Sequence, residues 1–152
     1  MPSEDIRWPV GGEIDILENR GRISNISSSA LHFGKQWNIK STLVGEALIP
    51  RHVRFQDKFH SISLVWKENY IAFYLDNSSD PYFTINSDHS EFKKYKYPFN
   101  RDYYMILNVA VGGKYDDYWV DFDAFCNDEE CSNKEDPDSH RFIIDWIEYE
   151  RL

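Results

Sequence analysis

Apolar and polar residues alternate with a period of two over several short stretches, separated by Gly, Asn, Asp, Ser and Pro, which is the signature of half-buried strands. In FHSISLVW, His60, Ile62, Leu64 and Trp66 share one face, and Phe59, Ser61, Ser63 and Val65 the other. The run YIAFYLDN follows across Lys67-Glu68-Asn69 with Ile71, Phe73 and Leu75 on one face, which predicts a hairpin. Further strands are predicted over residues 103–111, ended by Gly112-Gly113, and over residues 142–150; weaker alternation marks 29–33 and 43–49. No stretch of convincing length follows a helical period. The expected fold class is all-β, an antiparallel β-sandwich. Residues 114–140 are acidic and turn-rich and read as one long loop, a length uncommon unless functional.

Composition narrows the function. A chain of 152 residues is the size of one domain with a single core. Aromatic residues make up 16% of it, enough to leave aromatic surface beyond the core. A net charge of −9 argues against nucleic acid and anionic membranes as partners. The basic stretch of Lys93, Lys94 and Lys96, with Tyr95 and Tyr97 between, reads as a solvated loop. No apolar run approaches the roughly 20 residues that span a bilayer, and MPSEDIRWP lacks the regions of a signal peptide, so the expectation is a soluble chain without its own targeting segment. Cys126 and Cys131, close together in FCNDEECS without a nearby His or second Cys pair, suit a local disulfide better than zinc, with free thiols as the other option. With the sequons Asn25-Ile26-Ser27 and Asn77-Ser78-Ser79, they tilt the expected location to the extracellular side.

The chemistry concentrates in WPVGGEIDILENRG, where Glu13, Asp15 and Glu18 interleave with Ile14, Ile16 and Leu17. On a pleated strand Glu13 and Asp15 face one side, while parity turns Glu18 away. A β-bulge at Leu17 returns Glu18 to their face. Two Glu backbones about 13 Å apart can then bring their carboxyl groups near the roughly 5 to 5.5 Å of a retaining glycosidase. Three like charges on one face also raise at least one carboxyl pKa, as a proton donor requires. A solvated strand face would show the same alternation.

The stretch resembles the active-site strand of glycoside hydrolase family 16, whose laminarinase-like members carry E-x-D-x-x-E after a Trp-Pro and a Gly; here these are Trp8, Pro9, Gly12, Glu13, Asp15 and Glu18. Leu31-His32-Phe33-Gly34, FHSISLVWKENYIAFYLDN, YYMILNVAVGG and FIIDWIEYERL resemble later segments of that family in the same order. The resemblance implies a concanavalin A-like jelly roll, with residues 1–152 matching a partial domain that lacks N-terminal strands, the catalytic strand near 12–18. It implies Glu13 as nucleophile, Glu18 as general acid/base, Asp15 as the residue orienting the nucleophile and His32 beside them. Trp8, Trp37 and Trp119 would stack sugar rings, and Trp66 and Trp146, within strands, would pack. The implied activity is retaining endo-hydrolysis of β-1,3-glucan or mixed-linkage β-glucan. A non-catalytic β-1,3-glucan-binding module and an inactive truncated copy are the alternatives. No cofactor is required; the family's structural calcium would need more than Asp145. The expected partner is a β-glucan polysaccharide, with a missing N-terminal half or self-association through exposed sheet edges filling any gap.

Overall fold

The computed structural model describes residues 1–120 and 142–151, so Cys126, Cys131 and most of the acidic loop lie outside the described residues. The chain divides into two compact units, Met1–Ile106 and Leu107–Leu152. In the first unit, six strands form two antiparallel sheets. One holds β1 (Glu13–Asn19), β2 (Ile26–Gln36) and β3 (Ile39–Leu48); the other holds β4 (Ile62–Lys67), β5 (Tyr70–Leu75) and β6 (Phe83–Asn86), each in sequential order. The all-β, antiparallel reading of the sequence holds. So does the hairpin: Lys67 pairs with Tyr70 and leaves Glu68-Asn69 as its turn. Strands β2 and β3 run longer than their alternation announced. Neither the four-residue β6 nor the single-turn helix α1 (Glu91–Lys94) is long enough to display a period.

The sheets share one core. Leu31 and Phe33 of β2 meet Ile71 and Phe73 of β5 and Ile85 of β6, and Phe92, Tyr95 and Phe99 close the cluster. The Phe33 ring lies 4.6 Å from that of Phe92 and edge-on to Tyr95 and Phe99. Residues 93–97 therefore depart from the solvated loop expected of them: their lysines face water, but Tyr95 is a core residue. Burying such a ring stabilises by roughly 1.5–3 kcal/mol, which an exposed loop could not supply. Trp66 packs as expected, donating its indole N–H to the Phe99 carbonyl at 2.9 Å. Gly45 of β3 lies at a close approach of the sheets, since a Cβ there would sit 2.2 Å from Cβ of Phe83.

Two predicted strands are absent. Tyr103 makes an isolated antiparallel bridge with Pro2, and the Tyr104 N–H donates to the Met1 carbonyl at 2.9 Å, but residues 104–111 and 142–150 have no strand conformation. Alternation decides which side chains share a face, whereas a strand is held by a neighbour's N–H and C=O groups. Among the described residues, neither segment pairs into a ladder. Their apolar side chains are exposed, and Trp146, at 62%, is not the packing residue the strand reading made it. Among the described residues, the second unit has one 3-10 turn, Lys114–Asp116, at the start of the acidic loop. Among the described residues, no helix is long and apolar enough to cross a membrane.

Candidate active site

Strand β1 pairs with β2 so that Glu13 faces His32 and Asp15 faces Ala30; the register then shifts and Glu18 faces Ser28. Ile16 and Leu17 together oppose Ser29. This is the β-bulge that parity demanded, and it sets Glu13, Asp15 and Glu18 on one face with His32. The bulge is secured from inside the sandwich. Buried Ser29 donates to the Ile16 carbonyl at 2.6 Å, and its Oγ lies 2.6 Å from the Tyr82 hydroxyl at the entry to β6. With the serine proton committed to the carbonyl, Tyr82 is the donor in the second bond. Burial pushes the Tyr82 phenol pKa up, which keeps that proton in place at neutral pH. Ser27, also buried, reaches the Glu18 carbonyl at 3.3 Å.

The segment before β1 turns back on the strand. Gly12 adopts a φ of +80°, and a Cβ there would fall 2.6 Å from the Tyr103 hydroxyl, which donates to the Gly11 carbonyl at 2.6 Å. This turn returns Trp8 to the carboxylates. Its indole N–H donates to Glu13 Oε2 at 2.5 Å, a short, charge-assisted bond. The Trp8 ring also lies 5.0 Å from the Trp37 ring and 6.4 Å from His32, with Lys40 Nζ 5.5 Å from its centroid. Two tryptophans 29 residues apart in sequence thus share one edge of the face. Trp119, by contrast, belongs to the second unit, where it is exposed.

His32 is held on both sides. Its Nε2 lies 3.1 Å from Asp15 Oδ2, an electrostatic contact bent away from hydrogen-bond geometry. Its Nδ1 lies 2.8 Å from Oγ1 of Thr42, its cross-strand partner on β3, and Lys40 Nζ donates to the same oxygen at 3.1 Å. Glu13, Asp15 and His32 offer ligand atoms within 4.8 Å of one another and are the described residues that could hold a cation. Asp145, the residue considered for calcium, is an exposed residue of the second unit.

The carboxylates are not equivalent. Burial, chiefly, lifts the Glu18 carboxyl above its ordinary pKa; the Asp15 and Glu13 charges add to the rise, while His32 and Arg20 oppose it. A carboxyl that holds its proton towards neutral pH can give that proton to a leaving oxygen. Glu13, one oxygen already fixed by the Trp8 indole, is oriented instead. Sequence patterns singled out the three carboxylates, His32 and the tryptophans. They did not reveal Ser29, Tyr82, Thr42 or Lys40, whose contacts join separate strands with no local spacing to announce them.

An antiparallel sandwich with spaced carboxylates and aromatic rings on one sheet face is the architecture of jelly-roll glycoside hydrolases. The chain belongs to glycosyl hydrolases family 16, whose family model matches residues 1–148. It is 34% identical over 124 residues to glucan endo-1,3-beta-glucosidase A1 of Niallia circulans, covering 76% of this chain and 18% of that protein. It is 33% identical over 114 residues to glucan endo-1,3-beta-glucosidase of Cryptopygus antarcticus, covering 71% of this chain and 40% of that one. The chain thus spans less than half the length of these relatives. The catalytic domain of an endo-1,3-beta-glucanase (laminarinase) from Thermotoga petrophila shares the fold, with a TM-score of 0.53 at 23% identity over 64% of this chain and 38% of that one.

Proposed function

We propose that the protein is a retaining endo-β-1,3-glucanase acting on laminarin-like or mixed-linkage β-glucan. Glu18 protonates the glycosidic oxygen as Glu13 attacks the anomeric carbon, giving a glycosyl ester on Glu13. Glu18, now a carboxylate, takes a proton from water as the water displaces Glu13, and two inversions leave the configuration retained. Asp15 steadies the nucleophile and its charge, with His32 alongside. Trp8 and Trp37 stack sugar rings, and Trp119 serves likewise. The reaction itself uses no cofactor. On the same reading the protein works outside the cell, residues 1–152 belong to one family domain, and Cys126 pairs with Cys131.

The observation that carries this reading is the bulge between Asp15 and Glu18, which gathers three carboxylates on one face, with the pKa of Glu18 raised chiefly by burial. Named relatives that cleave β-1,3-glucan support the substrate class. The test incubates the purified chain, beside Glu13→Ala, with laminarin and with mixed-linkage glucan and measures new reducing ends. Release by the parent and not by the variant is expected. Binding without release by the parent would refute catalysis.

A further inference from the structure

Strand β3 meets the carboxylate face through a row of three contacts: Lys40 Nζ to Thr42 Oγ1 at 3.1 Å, Thr42 Oγ1 to His32 Nδ1 at 2.8 Å, and His32 Nε2 to Asp15 Oδ2 at 3.1 Å. Donor and acceptor roles along this row constrain one another. An ammonium only donates, so Thr42 spends one lone pair on Lys40. At the far end, a lone pair on Nε2 would confront a carboxylate oxygen. A proton on Nε2 makes that contact attractive even when bent. A neutral imidazole carries one ring proton, so Nδ1 is then the acceptor and receives the Thr42 hydroxyl hydrogen. Lys40 reinforces the direction, because its positive charge turns the hydroxyl hydrogen away from itself and towards His32.

We infer that Lys40 and Thr42 are positioning residues that direct the single ring proton of an uncharged His32 to Nε2, turned to the Asp15 carboxylate. Glu13, Asp15 and Glu18 share the face of His32 from β1, and Lys40 and Thr42 approach it from β3. The tautomer belongs to the resting protein. Its catalytic meaning rests on the proposed glucanase reading, in which the Asp15 charge helps keep Glu18 protonated.

The experiment is a long-range proton–nitrogen NMR spectrum of the full chain labelled with 15N-histidine, recorded at about pH 8.5, well above the ordinary imidazole range, the His32 signals being those lost in His32→Asn. The parent is expected to show a protonated Nε2 and an unprotonated Nδ1. Thr42→Val should shift both nitrogens to averaged values, Thr42→Ser should restore the parent pattern, and the other histidine signals should stay in place as the check on folding. A proton on Nδ1 in the parent, or a Thr42→Val spectrum matching the parent at His32, would overturn the inference. No glucan is present, so failure here is separate from failure to cleave laminarin.

Discussion

Replacing Ser29 by Ala tests whether the bulge is held by its buried hydroxyl. The side chain is fully buried, and its Oγ serves two partners, the Ile16 carbonyl and the Tyr82 hydroxyl, each at 2.6 Å. Alanine removes both bonds and adds nothing to replace them. A buried carbonyl left without a donor costs about 1–3 kcal/mol. Tyr82 is only half-buried and can turn towards water, so its share is smaller, about 0.5 kcal/mol against the roughly 1 kcal/mol of a typical net hydrogen bond. Together the loss is about 1.5–3.5 kcal/mol. Tyr82→Phe, which spares the Ser29–Ile16 bond, should cost about 1 kcal/mol. Urea unfolding followed by tryptophan fluorescence measures both, and the double variant should cost less than the sum of the two singles, because the substitutions share one hydrogen bond. If Ser29→Ala lies within about 0.5 kcal/mol of the parent, as surface substitutions do, the bulge is held by something else and the reasoning fails.

Three other outcomes are expected. Gly45→Ala should destabilise by about 1–3 kcal/mol in the same assay, because the added methyl meets Cβ of Phe83, an atom fixed to its backbone. Trp8→Phe keeps an aromatic ring beside Trp37 but removes the charge-assisted donor to Glu13; kcat/KM on laminarin should fall tenfold or more, and loss of a bond worth about 1.5–3 kcal/mol should also lower the unfolding midpoint. The folded state holds the Glu18 proton more tightly than the unfolded chain, whose value is 4.5, so the stability this residue gives is present below 4.5 and is lost as pH rises through the raised folded value. Glu18→Gln should therefore stabilise the protein at neutral pH. That gain should vanish in unfolding curves recorded near pH 3, where the carboxyl is protonated in both states.

What the sequence disclosed, and what it hid, follows from the range of each interaction. The bulge was legible because Glu13, Asp15 and Glu18 violate the parity of a single strand, and parity is a local property. The β4–β5 hairpin was legible for the same reason, its two alternating runs being separated only by Lys67-Glu68-Asn69. Ser29 and Tyr82 are 53 positions apart, and neither has a neighbour that advertises the contact. Thr42 and Lys40 look like ordinary polar residues of an exposed strand until the β2–β3 register brings Thr42 opposite His32. Residues 103–111 and 142–150 show the converse. Their alternation is as clear as that of β4 and β5, yet strand formation depends on a pairing edge that no pattern within the segment can specify.

The bulge also separates two properties of an active-site strand. Strand β1 takes five steps, from Glu13 to Glu18, to pass the four steps of β2 from His32 to Ser28. Without Leu17 the strand would be regular, and Glu18 would still point to the same side, opposite the same Ser28. The inserted residue is therefore unnecessary for delivering a third carboxylate to the face. What it adds is rotation, since a bulge sharpens the right-handed twist of its strand. Leu17 acts as a torsional spacer that sets the azimuth of the Glu18 carboxyl relative to that of Glu13. A chain with Leu17 deleted would keep the charges, the face and the cross-strand partner, and would alter the angle at which acid and nucleophile meet a substrate.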